Sequence, residues 1–337
     1  MKNTLAFLFA FSGIFAFSQQ IESFKTIFSD KISIRAIELY DNKVWYSGTD
    51  SKFGFVSLND PDNHRQIKLS EKKLQFRTLA QDKNSFYAIN IESPAEFFNI
   101  NKKDLTYKIA FSDTAKTAFY DALHFVNDQY AFAFSDADKD SKLKLSVFRS
   151  GKWGIFHNNV QLNEGEAAFA ASNTNMASTK KYFWIATGGK ASRILRLNLK
   201  EETIEIFDTP FIQGESSQGM YSIDFYKDRF GIAVGGDYTK QEANVNNIAT
   251  STDGGKTWQV QASGKNAGYT TCVKIKPGSK GKELISVGDQ HISYSSDFGK
   301  TWKTISGEKG FFVCKWVDRN TVVFAGKDKI SLMKLKF

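Results

Sequence analysis

Hydrophobic positions along this chain gather into short runs that end in a small residue, and the same kind of run keeps returning. It reads Val44-Trp45-Tyr46-Ser47-Gly48, Phe86-Tyr87-Ala88-Ile89-Asn90, Tyr130-Ala131-Phe132-Ala133-Phe134-Ser135 and Phe183-Trp184-Ile185-Ala186-Thr187-Gly188. It returns as Gly231-Ile232-Ala233-Val234-Gly235, Leu284-Ile285-Ser286-Val287-Gly288 and Val322-Val323-Phe324-Ala325-Gly326. Their final residues lie 42, 45, 53, 47, 53 and 38 positions apart. Aromatic and β-branched residues bounded by turn formers predict strands. Another strand-like run precedes each, such as Ile34-Arg35-Ala36-Ile37, Phe76-Arg77-Thr78-Leu79 or Tyr269-Thr270-Thr271-Cys272. A repeat of about 46 residues falls within the range of propeller blades.

The last repeat is short of a strand. After Gly310 only Phe311 to Val317, Thr321 to Ala325 and Ile330 to Leu335 fit. Ser23-Phe24-Lys25-Thr26-Ile27 matches Thr301-Trp302-Lys303-Thr304-Ile305, so a strand from the N-terminus is expected to complete the final blade and remove an exposed edge. No Pro/Gly/Ser-rich linker interrupts the repeats. Residues 19–337 are therefore read as a single all-β domain, a seven-bladed β-propeller closed by the N-terminal strand.

The sharpest repeat is a turn. Ser251-Thr252-Asp253-Gly254-Gly255-Lys256-Thr257-Trp258 and Ser295-Ser296-Asp297-Phe298-Gly299-Lys300-Thr301-Trp302 both fit S-x-D-x-G-x-T-W, 44 residues apart. The Asp and Ser oxygens suit backbone N–H groups across a tight turn, and glycine supplies a positive φ. Asn101 to Tyr107, Ser150 to Trp153 and Lys200 to Ile204 keep only fragments of the pattern. The intact motif resembles the Asp-box, or bacterial neuraminidase (BNR) repeat. That resemblance implies a structural role for Ser251, Asp253, Gly255, Thr257, Trp258, Ser295, Asp297, Gly299, Thr301 and Trp302, away from any ligand.

Over the whole mature region the chain resembles bacterial exported proteins related to the photosystem II stability and assembly factor. Asn163-Glu164-Gly165-Glu166-Ala167-Ala168-Phe169-Ala170-Ala171-Ser172-Asn173-Thr174-Asn175, Thr187-Gly188-Gly189 and Val234-Gly235-Gly236-Asp237-Tyr238-Thr239-Lys240 carry the likeness. Gly268-Tyr269-Thr270-Thr271-Cys272 and Phe311-Phe312-Val313-Cys314 add to it. The resemblance implies a propeller that serves as an assembly or interaction platform, although relatives are often labelled oxidoreductases.

Composition narrows the choices. Of 337 residues, 41% are hydrophobic and 24% charged, close to a soluble globular chain. Mean hydropathy of -0.37 argues against a polytopic membrane protein. Aromatics reach 15% with 31 Phe, while prolines number only 4, which suits a large β protein. Lys2, the apolar run Leu5 to Phe17 and the small-x-small site Ala16-Phe17-Ser18 predict a signal peptide over residues 1–18. Cleavage is expected near Gln19, placing the chain in the periplasm or outside the cell. The net charge of +9 is spread over scattered lysines, and with export it points to a protein or an anionic envelope or glycan partner rather than nucleic acid.

Searches for chemistry return little. The sequence has no G-x-S-x-G, H-E-x-x-H, C-x-x-C, Walker or G-x-G-x-x-G pattern. His64, His124, His157 and His291 lack metal-ligand spacing, and Asp136-Ala137-Asp138-Lys139-Asp140 lacks the glycine and glutamate of a calcium loop. No cofactor, metal or catalytic residue is expected. In a propeller the starts of the innermost strands converge on one mouth, which gathers Arg35, Arg77, Glu164, Glu166, Asn173, Arg193, Asp237, Tyr238 and Tyr269 as candidate partner-binding residues. Changing Arg35 and Arg77 to Glu is expected to abolish capture of the partner and hardly move the melting temperature. The alternative is a sialidase-like glycoside hydrolase in which Arg35, Arg77 and Arg193 hold a carboxylate; Ile34-Arg35-Ala36-Ile37 lacks the proline of the F-R-I-P pattern. An oxidoreductase ranks after it. A monomer is expected, with Cys272 and Cys314 near one another; two buried thiols are favoured, and a disulfide is the second alternative.

Overall fold

The computed structural model describes residues Gln20–Lys336; the expected signal peptide and its cleavage site lie outside the described residues. Every element among them is a strand, and every strand pair is antiparallel. No helix among the described residues is long and apolar enough to cross a membrane.

The strands form six hydrogen-bonded sheets arranged as a β-propeller. The first holds Phe311–Trp316, Thr321–Lys336, Gln20–Tyr40, Lys43–Gly48, Lys52–Ser57 and His64–Lys68. The second holds Ala80–Gln81, Ser85–Ile89, Ala95–Asn101 and Tyr107–Asp113, and the third Tyr120–Asn127, Tyr130–Ser135, Lys144–Arg149 and Lys152–Ile155. Met176–Ser178, Tyr182–Ala186, Arg193–Asn198 and Ile204–Asp208 make the fourth. The fifth contains Glu166–Ala167, Gly188–Gly189, Gln218–Tyr226, Phe230–Asp237, Ile248–Ser251 and Gln259–Val260. Cys272–Ile275, Leu284–Gly288, His291–Ser295 and Lys303–Ser306 complete the sixth.

This corrects the expected blade count: by its sheets the propeller has six blades, not seven. The finding that overturns the seventh is that the last repeat has no sheet of its own. Gln20–Tyr40 is one continuous strand whose first part, Gln20 to Ser33, pairs with Lys327 to Lys336. Its second part, Ile34 to Tyr40, pairs with Lys43 to Gly48. The strands of the last repeat and those of the first are thereby joined in a single six-stranded sheet. Counting apolar runs locates strands, but it does not reveal that one strand continues through the junction between two repeats.

Burial explains why the repeated runs are so apolar. Ser85–Ile89, Phe230–Asp237, Leu284–Gly288 and His291–Ser295 are buried at every position, because neighbouring sheets cover both of their faces. The outermost strands His64–Lys68 and Tyr107–Asp113 are mostly exposed. Aromatic rings fill the gaps between sheets: Trp45 meets Phe86 at 4.5 Å between centroids, Tyr87 meets Phe125 at 5.0 Å and Phe132 meets Phe183 at 4.6 Å. Trp184 stacks on Phe225 at 3.9 Å. Such pairs add to the burial of their area, which is where the high phenylalanine content goes.

The two S-x-D-x-G-x-T-W turns are built alike. Asp253 accepts from the Lys256 and Thr257 N–H groups at 3.1 and 3.0 Å and from the Thr257 hydroxyl at 2.6 Å. Asp297 accepts from Thr301 N–H at 2.9 Å and its hydroxyl at 2.7 Å. The indoles of Trp258 and Trp302 each donate to the glycine carbonyl three residues earlier, at 3.0 Å. Burial raises both aspartate pKa values, but these hydrogen bonds outweigh it and leave them below the ordinary value. A depressed folded-state pKa gives stability that is present above the unfolded value, about 4, and lost as pH falls through the folded one. Asp253→Ala is expected to cost about 1–2 kcal/mol at neutral pH. Asp253→Asn/Asp297→Asn should flatten the stability loss below about pH 4. Denaturant melts from pH 7 to 2 check this; an unchanged acid limb in the double variant would refute it.

Candidate functional site

One segment, from Gly165 to Asn175, crosses the centre of the propeller and divides its channel. Asn173 sits at φ 58°, and its side-chain amide donates to Leu79 O at 2.8 Å and Leu123 O at 3.2 Å while its oxygen accepts Leu123 N–H at 2.8 Å. Ser172 donates to Thr271 O at 2.6 Å, and the Thr174 hydroxyl donates to that of Ser222 at 2.7 Å. Arg35 donates to Ala171 O at 3.1 Å. The crossing is close. A Cβ on Gly188 would stand 2.3 Å from the Phe169 ring, so only glycine lets the segment lie there.

On the mouth side a cavity of about 660 Å³ opens, lined among others by Arg35, Arg77, Asp121, Asp136, Tyr221, Tyr238, Gln241, Tyr269 and Phe312. Arg35 lies 4.1 Å from the Phe312 ring centroid, and burial with the neighbouring Arg77 lowers its pKa to about 10, still a cation at neutral pH. Arg77 is different: among the described residues it makes no hydrogen bond or ion pair. Burial lowers its pKa, against the pull of Asp121 and Glu92. Asp121 is 1% exposed and accepts from the Ala170 N–H, leaving Oδ2 without a hydrogen-bond partner among the described residues. Burial, then Asp136, holds its carboxyl well above the usual range. Asp136 accepts from Ala168 N–H and is likewise raised by burial, with Oδ1 unpartnered. Gln241 Oε1 is a third unpartnered acceptor on the same cavity. Tyr221 stacks on Phe169 at 3.9 Å and meets Tyr269 edge-on at 4.9 Å, while Tyr238 is 51% exposed.

Of the residues expected at the mouth, Arg35, Arg77, Tyr238 and Tyr269 are brought together around this cavity. Asp237 is buried just behind it; it accepts from Thr239 N–H at 2.9 Å and the Thr239 hydroxyl at 2.6 Å, shaping the loop that carries Tyr238. Asn173 lies beneath, in the plug. Glu164, Glu166 and Arg193 do not line the cavity. Arg193 donates from Nε to both Glu166 oxygens at 3.0 Å, and Glu166 also takes the Thr187 hydroxyl at 2.6 Å, so this pair anchors the start of the crossing segment. Glu164 pairs with Lys190 at 3.0 Å in solvent. Arg35, Arg77 and Arg193 are thus not assembled into one carboxylate clamp. Since Arg35 also donates to the plug, changing it removes a hydrogen bond as well as a charge.

Sequence reasoning passed over Asp121, Asp136, Tyr221, Gln241 and Phe312. Three of these were signalled. Arg35, Arg77, Asp121, Tyr221, Thr271 and Phe312 hold the same place in successive repeats, one residue ahead of the small or apolar position that follows in Arg35-Ala36, Asp121-Ala122 and Phe312-Val313. That place opens each innermost strand and faces the channel.

Behind the plug lies a second cavity of about 240 Å³, lined in part by Gln81, His124, Lys274, Cys314 and Lys315. His124 contacts Ser178 Oγ at 2.8 Å, and burial, then Lys274 and Lys315, pushes its pKa down to about 3. Cys272 and Cys314 are buried and unbridged, their sulfurs 3.8 Å apart. Intact mass after alkylation under denaturing, non-reducing conditions should show two alkyl adducts; a chain that takes up none and weighs two hydrogens less than its reduced form would show a bridge. Among the described residues no group of three or more His, Cys, Asp or Glu could hold a metal ion.

Sheets around a plugged axis, with an aromatic and charged cavity at one end, define a β-propeller. No family model matches the chain, and no curated protein matches it. Solved structures do. One of YCF48 bound to D1 peptide superposes with a TM-score of 0.66 at 10% identity, covering 94% of this chain and 95% of that one. U3-55K aligns at TM-score 0.67 and 9% identity over 94% of this chain and all of its own, and the RRP9 WD40 repeats at 0.69 and 9% over 95% and 100%. At such identities the likeness shows the fold.

Proposed function

We propose that this chain is an exported interaction platform that binds a polypeptide partner at the mouth and performs no chemistry of its own. The observation that carries the reading is Arg77, a half-buried guanidinium that makes no hydrogen bond among the described residues, in an open cavity rich in aromatic rings. Burying an unpaired charge is costly, so the site gains most when an anionic group supplies bidentate bonds. The unpartnered acceptors Asp121 Oδ2, Asp136 Oδ1 and Gln241 Oε1 ask in addition for donors, which a peptide backbone provides. The resemblance to photosystem II stability and assembly factors, and a structural neighbour whose structure holds a peptide, support the same reading. Export and the absence of catalysis are part of the proposal.

The test is affinity capture from the native envelope with the parent chain and Arg77→Glu. The variant is expected to lose the captured partner while still melting cooperatively; it is destabilised only by losing the attraction of Arg77 to Asp121 and Glu92, since no hydrogen bond is removed. Capture of the same partner in the same amount by both would overturn the reading. Turnover of a sialoside would overturn the non-catalytic part.

A further inference from the structure

A groove of about 620 Å³ lies between the fifth and sixth sheets, beside the two S-x-D-x-G-x-T-W turns. Its apolar surface comes from Tyr226, Phe230 and Phe298, and Lys227, Arg229, Lys280 and Lys300 surround it. No carboxylate lines the groove, and none of the four cations forms an ion pair among the described residues. The acids nearest in sequence are engaged elsewhere: Asp228 accepts the Thr179 hydroxyl, and Asp297 is tied into its own turn.

Phe298 makes the groove unusual. It has φ 64°, in the left-handed region, where the other turn has Gly254 at φ 75°. A bulky residue there costs of order 1 kcal/mol or more against glycine. Burial of the ring does no more than offset that cost, and the ring, which touches Phe230 edge-on at 5.5 Å, still leaves 40% of the residue exposed. The groove thus presents a part-exposed aromatic ring on a left-handed backbone inside an unpaired cationic rim.

We propose that this groove is a second docking surface, for an acidic peptide segment carrying an apolar anchor residue. Charge complementarity sets the carboxylates: four cations without counter-ions repel one another until an anionic chain lies among them. The rings set the anchor, since an apolar side chain fits against Phe298 and Phe230. An anionic polysaccharide would satisfy the cations and leave that apolar surface unmatched.

The probe is fluorescein-labelled acetyl-Glu-Asp-Leu-Phe-Asp-Glu amide, titrated with the full chain by fluorescence anisotropy at low and physiological salt. Binding is expected to weaken with salt, and at least about tenfold in Arg229→Glu/Lys300→Glu. A charge-matched control on other sheets, Lys68→Glu/Lys103→Glu, should bind as the parent does. Phe298→Gly should weaken binding while leaving the melting temperature unchanged or raised, because glycine adopts that φ freely. The proposal is overturned by no binding at about 1 mM protein, or by equal binding in parent and groove variants. It also fails if the peptide binds equally with Gly-Gly in place of Leu-Phe, or if polygalacturonate of equal charge binds as tightly.

Discussion

Deletion of Gln20 to Ser29 is expected to destroy the native fold rather than trim it. That stretch pairs along Lys329 to Lys336, with Phe24 opposite Met333 and Phe28 opposite Ile330. Ile27 is buried, and Phe24 and Phe28 pack on the same core. Phe24 also meets Phe311 and Phe324 at 5.7 and 5.8 Å between centroids. Removing these side chains forfeits roughly 5–8 kcal/mol as an upper estimate, against a net stability of about 5–15 kcal/mol for a domain. The deletion also strips the partner from a long apolar strand and leaves an open edge, a template for aggregation. Size-exclusion chromatography and a circular-dichroism melt should show aggregated or non-cooperative material. A monomer that melts like the parent would mean this pairing contributes little to the fold.

Asn173→Ala should give the largest effect of any single substitution away from the aromatic core. It removes three hydrogen bonds that tie the plug to two sheets, leaving Leu79 O and Leu123 N–H and O without that partner. It also places alanine in a left-handed backbone that asparagine tolerates better. Together these cost about 3–5 kcal/mol and should lower the melting temperature by about 5–10 °C. Asn173→Gly separates the two causes: it relieves the backbone and still loses the bonds, so it should recover only a minor part. Differential scanning calorimetry measures both. An Asn173→Ala protein with parental melting would show that the plug does not depend on this side chain.

The mouth shows how far reading from residues reaches. Arg35, Arg77 and Tyr269 could be placed because they open innermost strands, and strand direction is fixed by the alternation of the repeats. Asp121 stands in the same register but was not singled out, since nothing local distinguishes a carboxyl buried at 1% exposure from one in solvent. Glu166 and Arg193 were expected among the partner-binding residues of the mouth; only three-dimensional proximity shows them as an ion pair. Phe298 looked like one more position in a turn, and its strain is visible only as a backbone angle.

By itself the sequence determined strand content, the repeat, the antiparallel meander within each unit and the chemistry of the two aspartate turns. These follow from local causes: alternating or continuous apolar runs, turn residues at set offsets, and glycine where φ must be positive. The number of sheets was decided by tertiary structure, because whether the 21-residue strand Gln20–Tyr40 breaks between its two partners depends on contacts 300 residues apart in the chain. The same holds for the plug, whose partners Leu79, Leu123, Ser222 and Thr271 come from four different strands or their ends. Which charges remain unpaired among the described residues was likewise settled in space: partial burial makes a lone Arg77 costly, and burial is a property of the assembled sheets.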